Sequence, residues 1–212
     1  MAKHENRLKG SYKNILSLEM TAESIVQGEN WYEEANKIAY TIGRLAGYRK
    51  QLDCVRVGAG ILSALSPTIE WGQNVNIAIL LVTSKGQIRK TYTKQHDKAV
   101  AIMHGADPEV VLGDRARKTK AFYRAILEPN NSYSEPVVDR HAVAIYMGRA
   151  VSDRELKALE STKVYNRIAN AYIRAGKEVG LNHHILQAST WTQWRVFKGI
   201  DKGSNSRQLT VE

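Results

Sequence analysis

The stretch LGDRARKTKAFYRAIL, residues 112–127, decides the fold class. After Gly113 it contains no further glycine and no proline, so nothing in its second half interrupts a helix. Its apolar side chains recur at the spacing of one helix face: Ala121, Phe122, Ala125 and Ile126. The stretch therefore predicts a helix from Arg117 to Leu127 that follows a short turn.

Basic side chains are concentrated in the same stretch. Arg117, Lys120 and Arg124 fall at positions i, i+3 and i+7, which places them in one cationic stripe along the predicted helix. Lys118 falls on the opposite side, among the apolar residues. A lysine in that position either extends its ammonium to solvent or is partly desolvated, and desolvation favours the neutral, nucleophilic amine. Lys118 is therefore a candidate nucleophile.

Helical periodicity covers most of the rest of the chain. The first helix is predicted to start at an Asn30 cap, with Glu33 as its reciprocal partner, and to end at Gly47. Other predicted helices start at Asp53, Thr68, Asp107, Asp139, Ser152, Val164 and Asn182. The segment 83–94 is predicted to be a loop. This pattern predicts an all-α bundle with at least eight helices.

The composition narrows the class of protein. Of 212 residues 43% are hydrophobic, and no apolar run reaches the roughly 20 residues that a membrane helix needs. The single Cys54 excludes an internal disulfide framework and any metal site built from several cysteines. The polar start MAKHENRLKG lacks the apolar region of a signal peptide. We therefore expect a cytoplasmic protein without a metal or other cofactor.

The charge balance indicates an anionic partner. Lys and Arg number 31 against 21 Asp and Glu, which gives a net charge of +10. A basic excess of this size favours polyanions, because neutralising phosphates releases condensed counterions. The charge therefore favours a nucleic acid as the partner.

Three segments in a fixed order resemble the helix-hairpin-helix DNA glycosylase superfamily, the group that includes endonuclease III. They are ILSALSPT at residues 61–68, LGDRARKT at 112–119 and PVVDRH at 136–141. The family carries a Leu-Ser-Ala-Gln-like segment, a Leu-Pro-Gly-Val-Gly-Arg-Lys-Thr-like hairpin and a Val-Asp-Thr-His-like segment. The resemblance spans about residues 58–147. Two shorter segments, Asp139-Arg140-His141 and Gln187-Ala188-x-x-Trp191, also resemble small phage proteins, which would place the chain in the host cytoplasm.

The resemblance implies a two-lobed helical bundle of the glycosylase type that binds duplex DNA and acts on a flipped, damaged or modified base. Lys118 matches the catalytic lysine, which attacks the sugar C1′ and forms a Schiff base in members that also have lyase activity. Asp139 matches the aspartate that assists departure of the base, and a carboxylate suits a step that builds positive charge on the sugar. Asp139 also suits a helix N-cap, and the two roles are compatible.

The remaining site assignments follow from the same resemblance and from the charge pattern. Candidate DNA-binding residues are Arg115, Arg117, Lys120, Arg124, Arg140 and His141. Candidate residues of the base pocket are Trp71, Asn74 and Tyr123. Trp191 and Trp194, by contrast, are predicted to lie in the core.

Residues 1–198 are expected to form a single helical domain. Within it, residues 58–147 form the glycosylase-like core segment, while 1–57 and 148–198 supply packing helices. Residues 199–212 are expected to form a flexible tail.

The sequence departs from the family pattern at three positions. Asp114 and Ala116 replace the glycines of the hairpin, and Leu65 replaces the glutamine that follows Leu-Ser-Ala. Three alternatives to a DNA repair glycosylase therefore stay open. They are a catalytically inactive DNA-binding protein of the same fold, a phage enzyme of DNA base modification, and a protein antagonist of a host factor.

Overall fold

The computed structural model describes residues 8–131 and 135–199, and in these ranges the chain is helical without a strand. The helices are α1 Tyr12–Leu16, α2 Ala22–Leu45, α3 Gln51–Leu65, α4 Trp71–Thr83, α5 Thr93–Met103, α6 Pro108–Leu112, α7 Arg117–Leu127, α8 Arg140–Met147, α9 Asp153–Leu156, a 3-10 helix Lys157–Glu160, α10 Thr162–Val179 and α11 His183–Phe197. The predicted all-α class is confirmed. The predicted tail lies, from residue 200 onward, outside the described residues.

Buried apolar side chains form two clusters. The first core takes its side chains from α2 to α7, together with Val137 and Ala188. The second core takes them from Leu8, α1, Val138, the segment from α8 to Ala158, α10 and α11. Helix α11 and the residues just before α8 contribute to both clusters. These two segments therefore run along the boundary between the cores.

Glycines allow α2 to approach its neighbours at backbone distance. A Cβ atom added to Gly58 of α3 would lie 1.8 Å from the carbonyl oxygen of Ala39 in α2. A Cβ added to Gly28 of α2 would lie 2.0 Å from Oγ of Ser189 in α11. Helix α2 is consequently held against both α3 and α11, and residues on all three helices come close together.

Gly58→Ala is expected to lower the free energy of unfolding by about 3 kcal/mol or more, because the added methyl group meets main-chain atoms that cannot rotate away. Gly72→Ala in α4 is the matched control: Gly72 is exposed, and a Cβ there has nothing within 4 Å. That variant is expected to gain up to about 1 kcal/mol from helix propensity. Urea unfolding measures both, and equal stability of the two variants would contradict the close packing of α2 and α3.

Four of the predicted helix starts, Asp107, Asp139, Ser152 and Asn182, are confirmed by side-chain caps. Oδ1 of Asp107 accepts a hydrogen bond from the amide of Glu109 at 2.8 Å, and Ser152 with Glu155 forms the predicted capping box. The predicted Asn30 cap is wrong: the cap of α2 lies nine residues earlier, where Oγ1 of Thr21 accepts from the amide of Ser24 at 3.2 Å. Helix α5 was not predicted, since 83–94 was interpreted as a loop without a helix after it.

None of the helices described in residues 8–131 and 135–199 has both the length and the apolar character of a bilayer-spanning segment.

Candidate functional site

A cavity of about 120 Å³ opens at the boundary between the two cores. Its walls come from α2, the turn between α3 and α4, the start of α4, α7, the residues just before α8, and α11. These are the elements that the close approaches of α2 bring together. Most of its lining is aromatic or aliphatic, with a few polar side chains among them.

Four aromatic rings surround this cavity. The ring of Trp31 lies at the centre, with its centroid 5.1 Å from that of Trp71, 5.8 Å from Phe122 and 6.0 Å from Trp191. The four residues come from four different helices, and each is only partly buried. Flat, partly exposed rings in this arrangement can stack on or enclose a planar ligand.

Lys118 and Asp139 both line the cavity. Lys118 lies in the first turn of α7, one turn before Phe122, and Asp139 is the N-cap residue of α8. Both side chains are half-buried, and among the described residues no ion pair joins them. The amine and the carboxylate therefore line the same cavity and do not form a direct ion pair with each other.

The position of Asp139 is fixed by its own helix and by Tyr165. Oδ1 of Asp139 accepts a hydrogen bond from the amide of Ala142 at 2.7 Å, which is the predicted N-cap. The Tyr165 hydroxyl donates to the carbonyl of Pro136 at 3.2 Å and accepts from the amide of Val138 at 3.3 Å. These bonds hold the segment 136–139 in place.

Arg117 supports this segment rather than facing solvent. Its guanidinium forms an ion pair with Glu135, donates to Oδ1 of Asn166 at 2.5 Å, and lies 4.4 Å from the centroid of the Tyr165 ring. Arg117 thus ties α7, which carries Lys118, to the segment that carries Asp139. In this arrangement it acts as a positioning residue.

Two amides supply the remaining polarity of the cavity. Asn74 is buried, and its Nδ2 donates to the carbonyl of Leu62 at 3.0 Å, while its Oδ1 is buried without a partner among the described residues. Oε1 of Gln187 accepts a hydrogen bond from the hydroxyl of Tyr32 at 2.9 Å. Because that oxygen is engaged, Nε2 of Gln187 is the group left for a ligand.

Tyr32 is a neutral donor in this site. Burial, and after it the charge of the nearby Asp139 carboxylate, raise the pKa of Tyr32 well above its usual value. The phenol therefore keeps its proton at neutral pH and holds Gln187 in one orientation.

Two other residues of the predicted cationic stripe, Lys120 and Arg124, form ion pairs with acidic side chains. Glu109 accepts hydrogen bonds from Nε and Nη2 of Arg124 at 2.6 and 2.9 Å, and Nζ of Lys120 lies 3.4 Å from Glu109 and 3.2 Å from Asp114. The hydrogen bond from Arg124 is the main reason why the pKa of Glu109 is lowered. A phosphate would have to compete with these carboxylates for Lys120 and Arg124.

The remaining candidate DNA-binding residues are spread over the surface. Arg115 is exposed and forms no ion pair among the residues that the structure describes. Arg140 is exposed and pairs with Asp153. His141 lies beside the cavity, with its ring 6.2 Å from that of Trp191. The structure therefore does not gather all the predicted cations into one open surface.

Two predicted placements of aromatic residues need correction. Tyr123 does not line the cavity: it is 3% exposed in the first core, and burial raises its pKa to about 12. Its charged sequence neighbours suggested exposure, but its own position on α7 faces α3 and the core. Trp191 lines the cavity and is not a core residue, whereas Trp194 is buried as predicted. Trp71 and Asn74 line the cavity, and their assignment to a base pocket stays a prediction.

The turn before α7 joins two helices of different length. Helices α6 and α7 are joined by four residues, in which Gly113 adopts a φ of +88° and the amide of Ala116 donates to the carbonyl of Gly113 at 3.1 Å. The side chain of Asp114 projects into solvent and pairs with Lys120. Leu65, at the position of the family's glutamine, is fully buried in the first core and does not reach the cavity.

Comparison with known proteins gives one match. A family model described as a family of unknown function (DUF7178) matches residues 2–198. No curated protein and no solved structure matches the chain.

Proposed function

The chain belongs to the DUF7178 family of unknown function, and we propose that it is a DNA N-glycosylase with lyase activity that acts on a flipped base. The observation that carries this proposal is the meeting of Lys118 and Asp139 at one aromatic cavity. The two residues are 21 positions apart and belong to different helices. Their convergence on one hollow is what a glycosylase of the helix-hairpin-helix type requires.

The aromatic rings suit the ligand that such an enzyme takes up. An enzyme that acts on a base within a duplex must extrude the nucleotide, and it then holds the base between apolar or aromatic side chains. Trp31, Trp71, Phe122 and Trp191 offer these surfaces. In the proposed complex the base enters between these rings and brings its sugar to Lys118.

The polar groups suit the edge of a base. Asn74 Oδ1 can accept a hydrogen bond, and Gln187 Nε2 can donate one. Bases present donors and acceptors on their edges, and binding one here would satisfy the buried oxygen of Asn74. Gln187 thereby takes over the contact that the family's glutamine, replaced here by Leu65, would make.

The proposed reaction begins with a proton transfer from the Lys118 ammonium to Asp139, directly or through water. The Nζ lone pair then bonds to C1′ while the glycosidic C–N bond breaks, and the electrons of that bond leave with the base, which takes a proton from solvent. Asp139 first passes the proton on to solvent, so that it is again a carboxylate when positive charge builds on the sugar, and it stabilises that charge. After Nζ loses a further proton, its lone pair forms the C=N bond as the C1′–O4′ bond breaks and O4′ is protonated.

A non-enzymatic DNA-binding protein of the same fold is the second candidate. It is favoured by Asp139, because one of its oxygens already caps α8, and by the carboxylate of Asp114 in the turn that would approach a phosphate. Under this alternative the cavity would hold a base without cleaving it, and no covalent intermediate would form.

Borohydride trapping separates the two candidates. The wild-type protein is incubated with duplex oligonucleotides that carry abasic sites or a range of modified bases, and borohydride is then added to reduce any Schiff base. We expect a covalent protein–DNA adduct and release of the base from at least one substrate. DNA binding without an adduct or base release across the whole panel would contradict the enzyme and leave the second candidate.

A further inference from the structure

A second, more polar depression lies next to the cavity, between the turn that precedes α4 and the segment that precedes α5. It has a volume of about 440 Å³ and is lined by Thr68, Gln73, Arg89, Lys90, Thr91 and Tyr92. We call it the basic groove. Ile69 lines both the basic groove and the aromatic cavity, so the two share a wall.

The cations of the basic groove differ from those of α7. Arg89 and Lys90 are both exposed, and neither forms an ion pair among the described residues. The one hydrogen bond of Arg89, from Nη1 to Oγ1 of Thr93 at 2.5 Å, leaves its other donors available. Oγ1 of Thr91 is buried and has no hydrogen-bond partner within the described part of the chain. The groove therefore presents positive charge that no carboxylate of the described residues already neutralises.

The lining of the basic groove also includes an exposed aromatic ring and a residue with a strained backbone conformation. Tyr92 is 69% exposed, so most of its ring faces solvent. Thr68 has a φ of +67°, a conformation that a β-branched residue rarely adopts and that costs of order 1–3 kcal/mol. Exposed aromatic rings beside free cations are typical of surfaces that bind nucleic acid strands, because bases stack on the ring while cations contact the backbone.

We propose that the basic groove binds the sugar–phosphate backbone of the strand whose base occupies the aromatic cavity. Arg89 and Lys90 contact its phosphates, and Tyr92 stacks on a neighbouring base. The groove is more open to solvent than the cavity, which suits a strand that runs along the surface. This inference rests on the proposed function, since it takes the cavity as the position of the flipped base.

The experiment measures binding of the full chain to a fluorescein-labelled duplex oligonucleotide with one abasic site, by anisotropy over a series of salt concentrations. For Arg89→Ala/Lys90→Ala we expect the slope of log affinity against log salt to fall by about 2, because each lost phosphate contact removes about 0.9. At 0.1 M salt, binding should weaken roughly 10- to 100-fold. Tyr92→Leu should weaken it about tenfold without changing the slope.

Arg49→Ala/Lys50→Ala is the matched control. Arg49 and Lys50 form the same Arg-Lys pair in an exposed turn, the one before α3, so the variant loses the same charge at a different place. It is expected to keep the slope of the wild type. Equal losses in the two double variants would overturn the inference, because they would mean that the basic excess binds DNA diffusely.

A competition experiment tests whether the groove binds a DNA strand or a free nucleotide. The competitor is a nucleoside monophosphate, and displacement as effective as that by the unlabelled oligonucleotide would contradict a strand-binding groove.

Trapping assays on the same variants test the proposed enzymatic activity separately from DNA binding. If DNA binding depends on the groove but no adduct or released base is found, the groove inference stands and the proposed enzymatic activity is contradicted. If base is released but Arg89→Ala/Lys90→Ala binds DNA as the wild type does, the enzymatic activity stands and the groove inference is contradicted. Absence of DNA binding by the wild type would contradict both.

Discussion

Lys118→Ala is expected to abolish the trapped adduct and to slow base release at least about 10³-fold, because the variant lacks the amine that attacks C1′. The fold should be unaffected. Lys118 is half-buried in α7 and forms no ion pair among the described residues, and alanine is the residue that favours a helix most. The measurement is the single-turnover rate of base release, with a thermal melt to verify folding.

Lys177→Ala is the control for this variant. Lys177 is exposed on α10, a helix that contributes no residue to the lining of the cavity, and its loss removes one positive charge without touching the site. It should release base and form the adduct at the wild-type rate. A Lys118→Ala variant that forms the adduct as fast as Lys177→Ala would remove Lys118 from the mechanism.

Asp139→Asn is expected to separate the structural role of Asp139 from the catalytic one. Asparagine caps a helix about as well as aspartate, so the free energy of unfolding should change by less than about 0.5 kcal/mol. Base release should nevertheless fall about 10²- to 10³-fold, because an amide neither accepts the proton of Lys118 nor stabilises a cationic sugar. Urea unfolding and the single-turnover rate measure the two effects.

Asp139→Ala completes the comparison. It removes the acceptor for the Ala142 amide and should therefore cost about 1 kcal/mol of stability in addition to the loss of activity. If Asp139→Asn is fully active while Asp139→Ala is only less stable, Asp139 serves as a helix cap alone, and the proposed chemistry lacks its carboxylate.

The helices could be predicted where the signal is local. The bounds of α7, Arg117–Leu127, agree with the prediction, and so do the caps Asp107, Asp139 and Ser152. A cap depends on a side chain and an amide within three residues of each other, so the sequence contains both partners. Two misses show the limit of this reasoning. Helix α5 begins with polar residues and buries only its last turn, while Asn30 lies inside α2 and donates to the carbonyl of Val26.

The walls of the cavity could be predicted only in part. Lys118 and Asp139 were singled out because they fall within segments that resemble a known family, and Trp71 and Asn74 because they follow the first of these segments. Trp31, Phe122, Gln187 and Trp191 were not assigned to the site, since they reach it through the packing of α2 against α11 and α7. That packing depends on glycines such as Gly28, whose role appears only when the facing helix is known.

Spacing along one helix could not show which basic side chains are already paired with a carboxylate. Arg117, Lys120 and Arg124 were predicted to form one cationic stripe for phosphates, because no acidic residue lies among residues 115–125. Their partners, Glu109 and Glu135, come from α6 and from the segment before α8. By contrast, Arg89 and Lys90 lie in the segment 83–94, which was predicted to be a loop, and their exposure is a property of the fold.

The most direct test of the central claim is to identify the residue that carries the trapped sugar. The reduced adduct is digested with protease and nuclease, and mass spectrometry locates the modified residue. Our account predicts a single modification on Nζ of Lys118, and its absence from the Asp139→Asn variant at early times. A modification on another lysine, or one spread over several exposed lysines, would contradict it.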